Sequence, residues 1–246
     1  MAESTARPDP ARVAVLIPAL DEEASLGRVI ADIPRSGPGF CLARVVVADN
    51  GSRDRTPEVA RAAGAEVVLE PRRGYGQACL AGAAWLRDPA RRPDILVYLD
   101  GDYSDFPGEL TRVVEPIVAG RAELVIGSRV AGRHEPGALL PQAVFGNWLA
   151  TRLIRLFWRV SWTDLGPFRA IRWDAYERLG MADTNFGWTV EMQVKAARHG
   201  LRGEEVPVSY RKRIGRSKVT GTIYGTLAAG TKILWTIFRE AFRPDR

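Results

Sequence analysis

The stretch that decides the fold covers residues 94–107 and reads DILVYLDGDYSDFP. Its first half is apolar apart from the hydroxyl of Tyr98, which is typical of a strand buried on both faces. Two carboxylates, Asp100 and Asp102, follow on either side of Gly101. Because like charges held this close raise each other's pKa, a buried strand that ends on two acids calls for a functional or structural reason.

The same kind of strand recurs through the first half of the chain and alternates with helical patterns. Apolar runs predict strands over 12–18, 43–49, 66–70 and 95–100, and helical spacing occurs over 25–33, 56–64 and 76–88. This alternation predicts an α/β fold, with a mostly parallel central sheet that is flanked by helices on both faces. Ligands bind such sheets beyond the carboxyl ends of the strands, where Asp100 and Asp102 are expected.

The alternation of strands and helices breaks in the second half. Residues 123–129 predict one more strand, 141–160 and 188–200 predict helices, 204–213 predicts a strand, and a last helical stretch lies near 221–240. No internal repeat, low-complexity segment or linker divides the chain. We therefore expect a single domain over 1–220 and a C-terminal helical extension over 221–246.

Composition excludes several classes of protein. Of the 246 residues, 46% are hydrophobic and 26% are charged, so the chain can form a full core and is not disordered. The net charge of +6 comes mostly from arginine, which suits phosphorylated ligands or anionic lipid, although a codon bias explains the total equally well. No run of 18 uncharged apolar residues occurs, which predicts no classical membrane span. Cys41 and Cys79 lack metal or redox spacing and predict free thiols in a reducing cytosol.

A divalent cation would remove the repulsion between Asp100 and Asp102. Mg²⁺ and Mn²⁺ prefer carboxylate oxygens and leave coordination positions free for substrate phosphates. Such a cation would stabilise the charge on a departing diphosphate. The alternative is a solvated turn, since Asp-Gly-Asp is common in turns, but the buried strand before it favours the metal site.

Two further motifs bear on the ligand. The segment RKRIGRSK, residues 211–218, combines basic residues with Gly215 and Ser217, which suits a loop that closes on phosphate. It has no aromatic platform and no helix-turn-helix pattern, which argues against nucleic acid. The segment GYGQAC, residues 74–79, lacks the third glycine of a dinucleotide fingerprint, which argues against a Rossmann dehydrogenase.

The predicted helix over 141–160 has the pattern of an interfacial helix. Arg152, Arg155 and Arg159 share one face, apolar residues run down another, and tryptophans lie nearby. This predicts contact with an anionic membrane surface, and the alternative is an ordinary packed helix with a wet polar face. For the apolar stretch 221–238, three roles are open: contact with a bilayer, a cap on the domain, or a homo-oligomer interface.

Seven motifs in order resemble those of family-2 glycosyltransferases with the GT-A fold. They are VLIPALDEEASL (15–26), VVVADNGSRDRT (45–56), RRGYGQACLAG (72–82), LDGDYSDFP (99–107), GSR (127–129), DLGPFRAIR (164–172) and YRKRIGRSKV (210–219). The last three resemble the branch that includes dolichyl-phosphate mannose and glucose synthases. The resemblance implies a Rossmann-like nucleotide-sugar half over about 12–128 and an acceptor half over about 129–220.

The resemblance also implies an inverting transfer of a hexose from a UDP- or GDP-sugar, with Mg²⁺ or Mn²⁺ as cofactor. It assigns the metal to Asp100 and Asp102, with Asp102 the better direct ligand. The nucleotide- and phosphate-binding positions that it implies are Pro18, Ala19, Glu22, Asp49, Asn50, Gly74, Gly76, Gly101, Arg129, Arg213, Ser217 and Lys218. Two positions depart from the family pattern. Asn50 stands where the motif usually has a second aspartate, so it can form hydrogen bonds but carries no charge. Asp21 stands where the family usually has asparagine.

The expected acceptor is a polyprenyl phosphate, and the protein is expected in the cytoplasm, either free or peripheral on the cytoplasmic face of the membrane. A phosphate acceptor is already anionic and needs no general base. With a soluble hydroxyl acceptor, Asp164 or Glu191 would be the catalytic base. Otherwise Asp164 is expected to bind Arg169 or orient the sugar, and Glu191 to lie near the donor sugar or in a buried ion pair. A non-catalytic nucleotide-binding protein at the membrane is the third alternative.

Overall fold

The structure, a computed structural model, describes residues 9–215 and 223–243. Its strands are β1 (Ala11–Ala19), β2 (Ser36–Gly37), β3 (Phe40–Asp49), β4 (Glu66–Leu69), β5 (Ile95–Tyr98), β6 (Leu124–Ser128), β7 (Arg169–Arg172) and β8 (Gly203–Pro207). Its helices are α1 (Leu26–Ala31), α2 (Thr56–Ala62), α3 (Tyr75–Leu86), α4 (Leu110–Val118), α5 (Pro141–Trp158), α6 (Trp173–Leu179), α7 (Trp188–Arg198) and α8 (Ile223–Ala241). The α/β class predicted from the alternation of strands and helices is confirmed.

All eight strands belong to one sheet. Its order is β2-β3-β1-β5-β7-β6-β8, and β4 also pairs with β3. The pairs β1–β3, β1–β5, β3–β4 and β6–β8 are parallel, whereas β7 is antiparallel to both of its neighbours. Because β1, β3 and β5 run in one direction, their carboxyl ends meet at one edge of the sheet.

Helices cover both faces of the sheet, as the apolar strands require. One face packs its side chains against α3, α5, α6 and α7, and the other packs against α1, α2 and α4. The alternation of side chains along β1 shows the division, since Leu16 belongs to the first core and Val15 and Ile17 belong to the second. Within the described ranges, no helix combines the length and the apolar character that crossing a bilayer requires.

Two sequence expectations need correction. The strand predicted over 204–213 pairs with β6 only as far as Pro207, because the chain then leaves the sheet and lies along the loop that follows β5. There Tyr210 forms isolated bridges with Asp105 and His134. In addition, β7 and the helices α4 and α6 were not predicted, since their residues carry short patterns interrupted by charges or by Pro116.

Candidate active site

A cavity of about 440 Å³ opens at the carboxyl ends of β1, β3 and β5. This volume lies within the range of ordinary small-molecule sites. Nine of the residues predicted to bind donor or metal line it, namely Pro18, Ala19, Glu22, Asn50, Gly74, Asp100, Gly101, Asp102 and Arg213. The loops after parallel strands therefore bring together motifs that are far apart in the sequence.

The loop after β5 concentrates negative charge at the edge of this cavity. We call Asp100, Asp102 and Asp105 the rim acids. Burial and the charge of Asp102 raise the pKa of Asp100 to about 7. Burial and the charges of Asp100 and Asp102 raise the pKa of Asp105 well above its usual range, and both of its carboxylate oxygens are buried without a hydrogen-bond partner. The three carboxyl groups of the rim acids therefore cannot all ionise without a cost in free energy.

One arginine partly balances the rim acids. The Nη1 atom of Arg213 lies 2.9 Å from Oδ2 of Asp102, while Oδ1 of Asp102 accepts hydrogen bonds from the amide and hydroxyl of Ser104. Backbone contacts fix the arginine here, because the amide of Ile214 donates to the carbonyl of Asp102 at 2.9 Å. The guanidinium of Arg211 stacks 3.4 Å from the centre of the Tyr103 ring and anchors the same segment.

The rim acids provide the chemistry of a site for Mg²⁺ or Mn²⁺. Asp100 and Asp102 both line the cavity, and a divalent cation would replace their repulsion with attraction to both. Across residues 9–215 and 223–243, no group of three or more His, Cys, Asp or Glu side chains is placed to hold a metal ion. If a cation binds here, Asp100 and Asp102 would hold it, and substrate phosphates and water would complete its coordination.

Asn50 shapes the opposite side of the cavity. Its amide nitrogen donates to the carbonyls of Glu70 and Arg72 at 3.0 and 2.7 Å, and its oxygen accepts from the amide of Gly74 at 2.7 Å. An aspartate could not make the two donations, so the departure from the usual motif has a structural reason. The amide group of Asn50 holds the chain between β4 and α3 against the cavity.

The two glycines of the GYG motif permit a close approach of two backbones. A Cβ atom on Gly74 would lie 2.2 Å from the carbonyl oxygen of Thr184, and one on Gly76 would lie 2.1 Å from that of Asp183. Gly74 also has φ of +145°, a conformation that side chains disfavour. Gly76 itself is buried and is not among the cavity-lining residues, so the structure gives it a packing contact.

Other predicted residues lie behind the cavity surface or beyond the described ranges. Asp49 is buried at the end of β3, where its Oδ2 accepts from the amides of Gly51 and Ser52 at 3.2 Å. Ser217 and Lys218 fall outside the described residues.

Asp164 is the anchor of Arg129 in this structure. The two side chains form a bidentate pair with both N–O distances at 2.8 Å, and the amide of Arg129 donates to the same carboxylate. The expectation that Asp164 binds Arg169 was wrong, because the buried guanidinium of Arg169 donates to the carbonyls of Gly166 and Thr189 instead. Asp164 is buried, and neither it nor Arg129 is among the residues that line the cavity.

Glu191 lies on α7, with its side chain fully buried and away from the lining of the cavity. Its Oε1 lies 2.9 Å from Nζ of Lys195 and its Oε2 accepts from the amides of Ala182 and Asp183. This is the buried ion pair that was one of the two expectations for Glu191.

Sequence reasoning missed six cavity residues, which are Leu20, Arg73, Tyr75, Ala78, Asn185 and Phe186. Tyr75 was within the quoted glycine motif, and its hydroxyl donates to Oδ1 of Asp100 at 3.1 Å. The detectable signal was its place between Gly74 and Gly76, the two glycines of that motif. Asn185 and Phe186 carry no motif and reach the cavity through the tertiary contact with Gly74 and Gly76.

Comparison with known proteins finds relatives along most of the chain. The family model described as Glycosyl transferase family 2 matches residues 14–180. An uncharacterized glycosyltransferase of Mycobacterium tuberculosis is 39% identical over 220 residues, which cover 88% of this chain and 94% of the relative. The dolichyl-phosphate hexose transferase of Haloferax volcanii is 31% identical over 94% of this chain and 96% of its own. The undecaprenyl-phosphate mannosyltransferase of Micrococcus luteus is 30% identical over 87% of this chain and 90% of the relative.

Among solved structures, glucosyl-3-phosphoglycerate synthase from Mycobacterium tuberculosis superposes with a TM-score of 0.71. The match covers 96% of this chain and 80% of the other at 21% identity, so it shows a shared fold. That protein was crystallised with Mn²⁺, UDP and phosphoglyceric acid.

Proposed function

Because this chain belongs to glycosyltransferase family 2, we propose that it moves a hexose from a UDP- or GDP-sugar to a polyprenyl phosphate. The observation that carries the proposal is the placement of Asp100 and Asp102 on a cavity at the carboxyl ends of parallel strands. Its relatives of known name include two polyprenyl-phosphate hexosyltransferases at about 30% identity.

The donor would bind along the cavity with its nucleoside between the ends of β1 and β3. Pro18, Ala19 and Asn50 line that side, and the backbone near Gly74 approaches closely because no side chain intervenes. The diphosphate would lie toward Asp100 and Asp102. A bound Mg²⁺ or Mn²⁺ would offset the charge that builds on the departing diphosphate.

Three cationic or polar residues of the 213–218 segment would bind the phosphate groups of the donor. Arg213 is a third exposed and borders the cavity, so a change of rotamer would let it donate to a phosphate oxygen. Ser217 and Lys218 follow it in the sequence and would close over the same group. These contacts would contribute several kcal/mol by positioning and neutralisation.

The chemical step is one displacement at the anomeric carbon. A phosphate oxygen of the acceptor would bond to that carbon while its bond to the diphosphate oxygen breaks, and the nucleoside diphosphate would leave with the electron pair. No proton has to be removed from an anionic acceptor. Asp164 and Glu191 are each held in an ion pair away from the cavity lining, which supports a phosphate acceptor over a hydroxyl that needs a base.

The acceptor's lipid tail calls for a surface that meets a membrane, and α5 and α8 offer one. These packed helices expose Phe145, Trp148, Leu156, Trp235 and Phe238, and Phe242 just after α8 is 75% exposed. Arg152, Arg155 and Arg159 are exposed beside them, which suits anionic lipid headgroups. We therefore place the protein on the cytoplasmic face of the membrane as a peripheral protein. A homo-oligomer through the same face stays a prediction.

The proposal is tested by supplying purified protein with Mn²⁺, each of several UDP- and GDP-hexoses, and a short polyprenyl phosphate. We expect nucleoside diphosphate release that requires both the lipid phosphate and one particular donor. Release that proceeds with a soluble hydroxyl acceptor and not with the lipid phosphate would overturn the proposed acceptor. Nucleotide binding without release for any acceptor would overturn the proposed activity.

A further inference from the structure

One side of the donor cavity is formed by residues 181–187, which we call the wall segment. Asn185 and Phe186 of this segment line the cavity. The carbonyl of Thr184 accepts a hydrogen bond from the amide of Gln77 at 2.8 Å, across the contact that Gly74 and Gly76 make possible. The position of the wall segment therefore sets where Asn185 and Phe186 lie relative to Tyr75 and Ala78, the cavity-lining residues of α3.

Two buried carboxylates, Asp183 and Glu191, hold the backbone of the wall segment, and we call them the wall acids. Oδ1 of Asp183 accepts from the amide of Asn185 at 2.9 Å. Oε2 of Glu191 accepts from the amide of Asp183 at 2.7 Å and from that of Ala182 at 3.1 Å. Both side chains are 0% exposed. One oxygen of each wall acid is thus committed to the backbone next to the cavity.

The second oxygen of each wall acid faces a cation from another element. Nζ of Lys232, on α8, lies 2.9 Å from Oδ2 of Asp183. Oε1 of Glu191 lies 2.9 Å from Nζ of Lys195 and 3.7 Å from Nη2 of Arg239, which is also on α8. The C-terminal helix therefore contacts both carboxylates that position the wall segment.

Close packing supports the same connection. A Cβ atom on Gly187 would lie 2.6 Å from Oδ2 of Asp183 and 2.7 Å from the hydroxyl oxygen of Thr236 on α8. The wall segment and α8 are thus in contact at the point where Lys232 meets Asp183. A shift of α8 at this point cannot leave the wall segment unchanged, because no space separates them.

We propose that Lys232 is a positioning residue for the donor site, acting through Asp183 on the wall segment, with Arg239 as a weaker second. This inference rests on the proposed function in taking the cavity to be the donor site. Without Lys232, the buried carboxylate of Asp183 would lose its cation and turn toward water, and the hydrogen bond to Asn185 would be lost with it. Lys232 touches no reacting atom, so the effect falls on donor binding and not on the chemical step.

The direct test measures hydrogen exchange of the free protein, which needs no ligand. We expect Lys232→Met to speed the exchange of the amides of residues 182, 183 and 185 about tenfold or more, and Arg239→Met to have a smaller effect. Amides of β1 and β3 should keep their protection, which shows that the variant is folded. Lys232→Arg keeps the charge and should restore slow exchange.

The matched control is Arg243→Met. Among the described residues, Arg243 forms its ion pair with Glu240 and with neither wall acid. This variant should leave exchange of the wall segment at the wild-type rate. If Lys232→Met does not fold, Gly187→Ala separates the wall segment from α8 without a change of charge, and it should give the same exchange pattern. Wild-type exchange of residues 182–185 in a folded Lys232→Met or Gly187→Ala protein would overturn the proposal.

Binding and turnover give the second readout. With Mn²⁺ and UDP, or Mn²⁺ and GDP, the dissociation constant should rise about fivefold to tenfold in Lys232→Met, while kcat at saturating donor should stay within twofold. An unchanged dissociation constant would overturn the link to the donor. If the wild-type protein binds neither nucleotide, the proposed function fails, and the exchange measurement still decides whether α8 positions the wall segment.

Discussion

Two groups of acids lie at or near one cavity, and they differ in how their charge is balanced. Among the three rim acids, Asp102 forms an ion pair with Arg213. The two wall acids have Lys195, Lys232 and Arg239 for partners. The pKa of Asp100 rises to about 7 in the first group, with burial and the charge of Asp102 as the causes.

The difference separates a binding site from a structural support. Buried charge that has its counter-charge within the protein stabilises one arrangement of the backbone. Carboxyl groups that lack enough counter-charge have raised pKa values, and a cation bound at Asp100 and Asp102 on the cavity lining would relieve their repulsion. The four predictions below test this distinction, from the largest expected effect to the smallest.

Replacement of Asp102 tests the rim acids. We expect Asp102→Ala to lower turnover by on the order of 10³-fold, because the leaving diphosphate loses its neutralising site. The measurement is release of UDP or GDP in the presence of donor, Mn²⁺ and polyprenyl phosphate. Asp183→Asn is the control from the wall acids, and it should keep turnover within tenfold of wild type. Turnover by Asp102→Ala close to the wild-type rate would remove the basis of the comparison.

Replacement of Lys195 tests the wall acids. The side chain of Lys195 is 7% exposed and that of Glu191 is 0% exposed, so Lys195→Met leaves a buried carboxylate with weaker compensation from Arg239. We expect the free energy of unfolding to fall by about 3 kcal/mol, read from the midpoint of urea denaturation. A second change, Glu191→Gln, keeps the acceptor for the backbone amides and should recover at least half of the loss. A loss below about 1 kcal/mol for Lys195→Met would mean that this ion pair does not stabilise the fold, which would contradict the structural role given to the wall acids.

Binding to lipid vesicles tests the exposed face of α5. Reversal of Arg152, Arg155 and Arg159 to Glu should weaken binding to phosphatidylglycerol vesicles about 10²-fold in cosedimentation, since each basic residue near an anionic surface contributes about 1 kcal/mol. The matched control reverses Arg28, Arg35 and Arg61, which are exposed at the side of α1 and α2. Equal loss of binding in both variants would indicate attraction by net charge alone.

The dependence of Mn²⁺ binding on pH is the smallest effect. In the free protein, Asp100 has a pKa of about 7 against an ordinary value of 3.8, so the folded protein holds an extra proton between about pH 4 and 7. This group therefore makes stability fall as the pH rises through that window. Mn²⁺ binds the ionised carboxylate, so its increase in Tm should be a few degrees larger at pH 8 than at pH 6. An equal increase in Tm at pH 6 and pH 8 would contradict the role of Asp100 in binding Mn²⁺. So would an Asp100→Asn variant that keeps the wild-type difference between the two pH values.

Much of the first half could be predicted from sequence because its signals are local. The strands β1, β3 and β5 consist mostly of apolar residues, and Gly64 has the positive φ expected where a helix ends. Pro18, Ala19, Asn50, Asp100 and Asp102 line the cavity at or just after the ends of those strands, since parallel strands end at one edge. The rest depended on partners that are distant in the chain.

Arg169 and Asp164 show why the second half was harder. Arg169 starts β7 with a fully buried guanidinium that donates to backbone carbonyls, whereas sequence patterns treat arginine as a surface residue. Asp164 takes Arg129 as its partner across 35 positions of sequence. Asn185 and Phe186 reach the cavity by packing, and no local pattern in the sequence marks such residues.

The antiparallel strand β7 governs the order in which the protein can fold during synthesis. β6 pairs with β7 and β8, so it finds no partner in the described sheet until residues 169–172 have left the ribosome. Until then β5 is the open edge of a smaller sheet, and unpaired edges invite association with other chains. The acids that follow β5 lie at that edge, so a nascent chain carries these carboxylates beside an unpaired strand, and the cavity is complete only once Asn185, Phe186 and Arg213 have been synthesised.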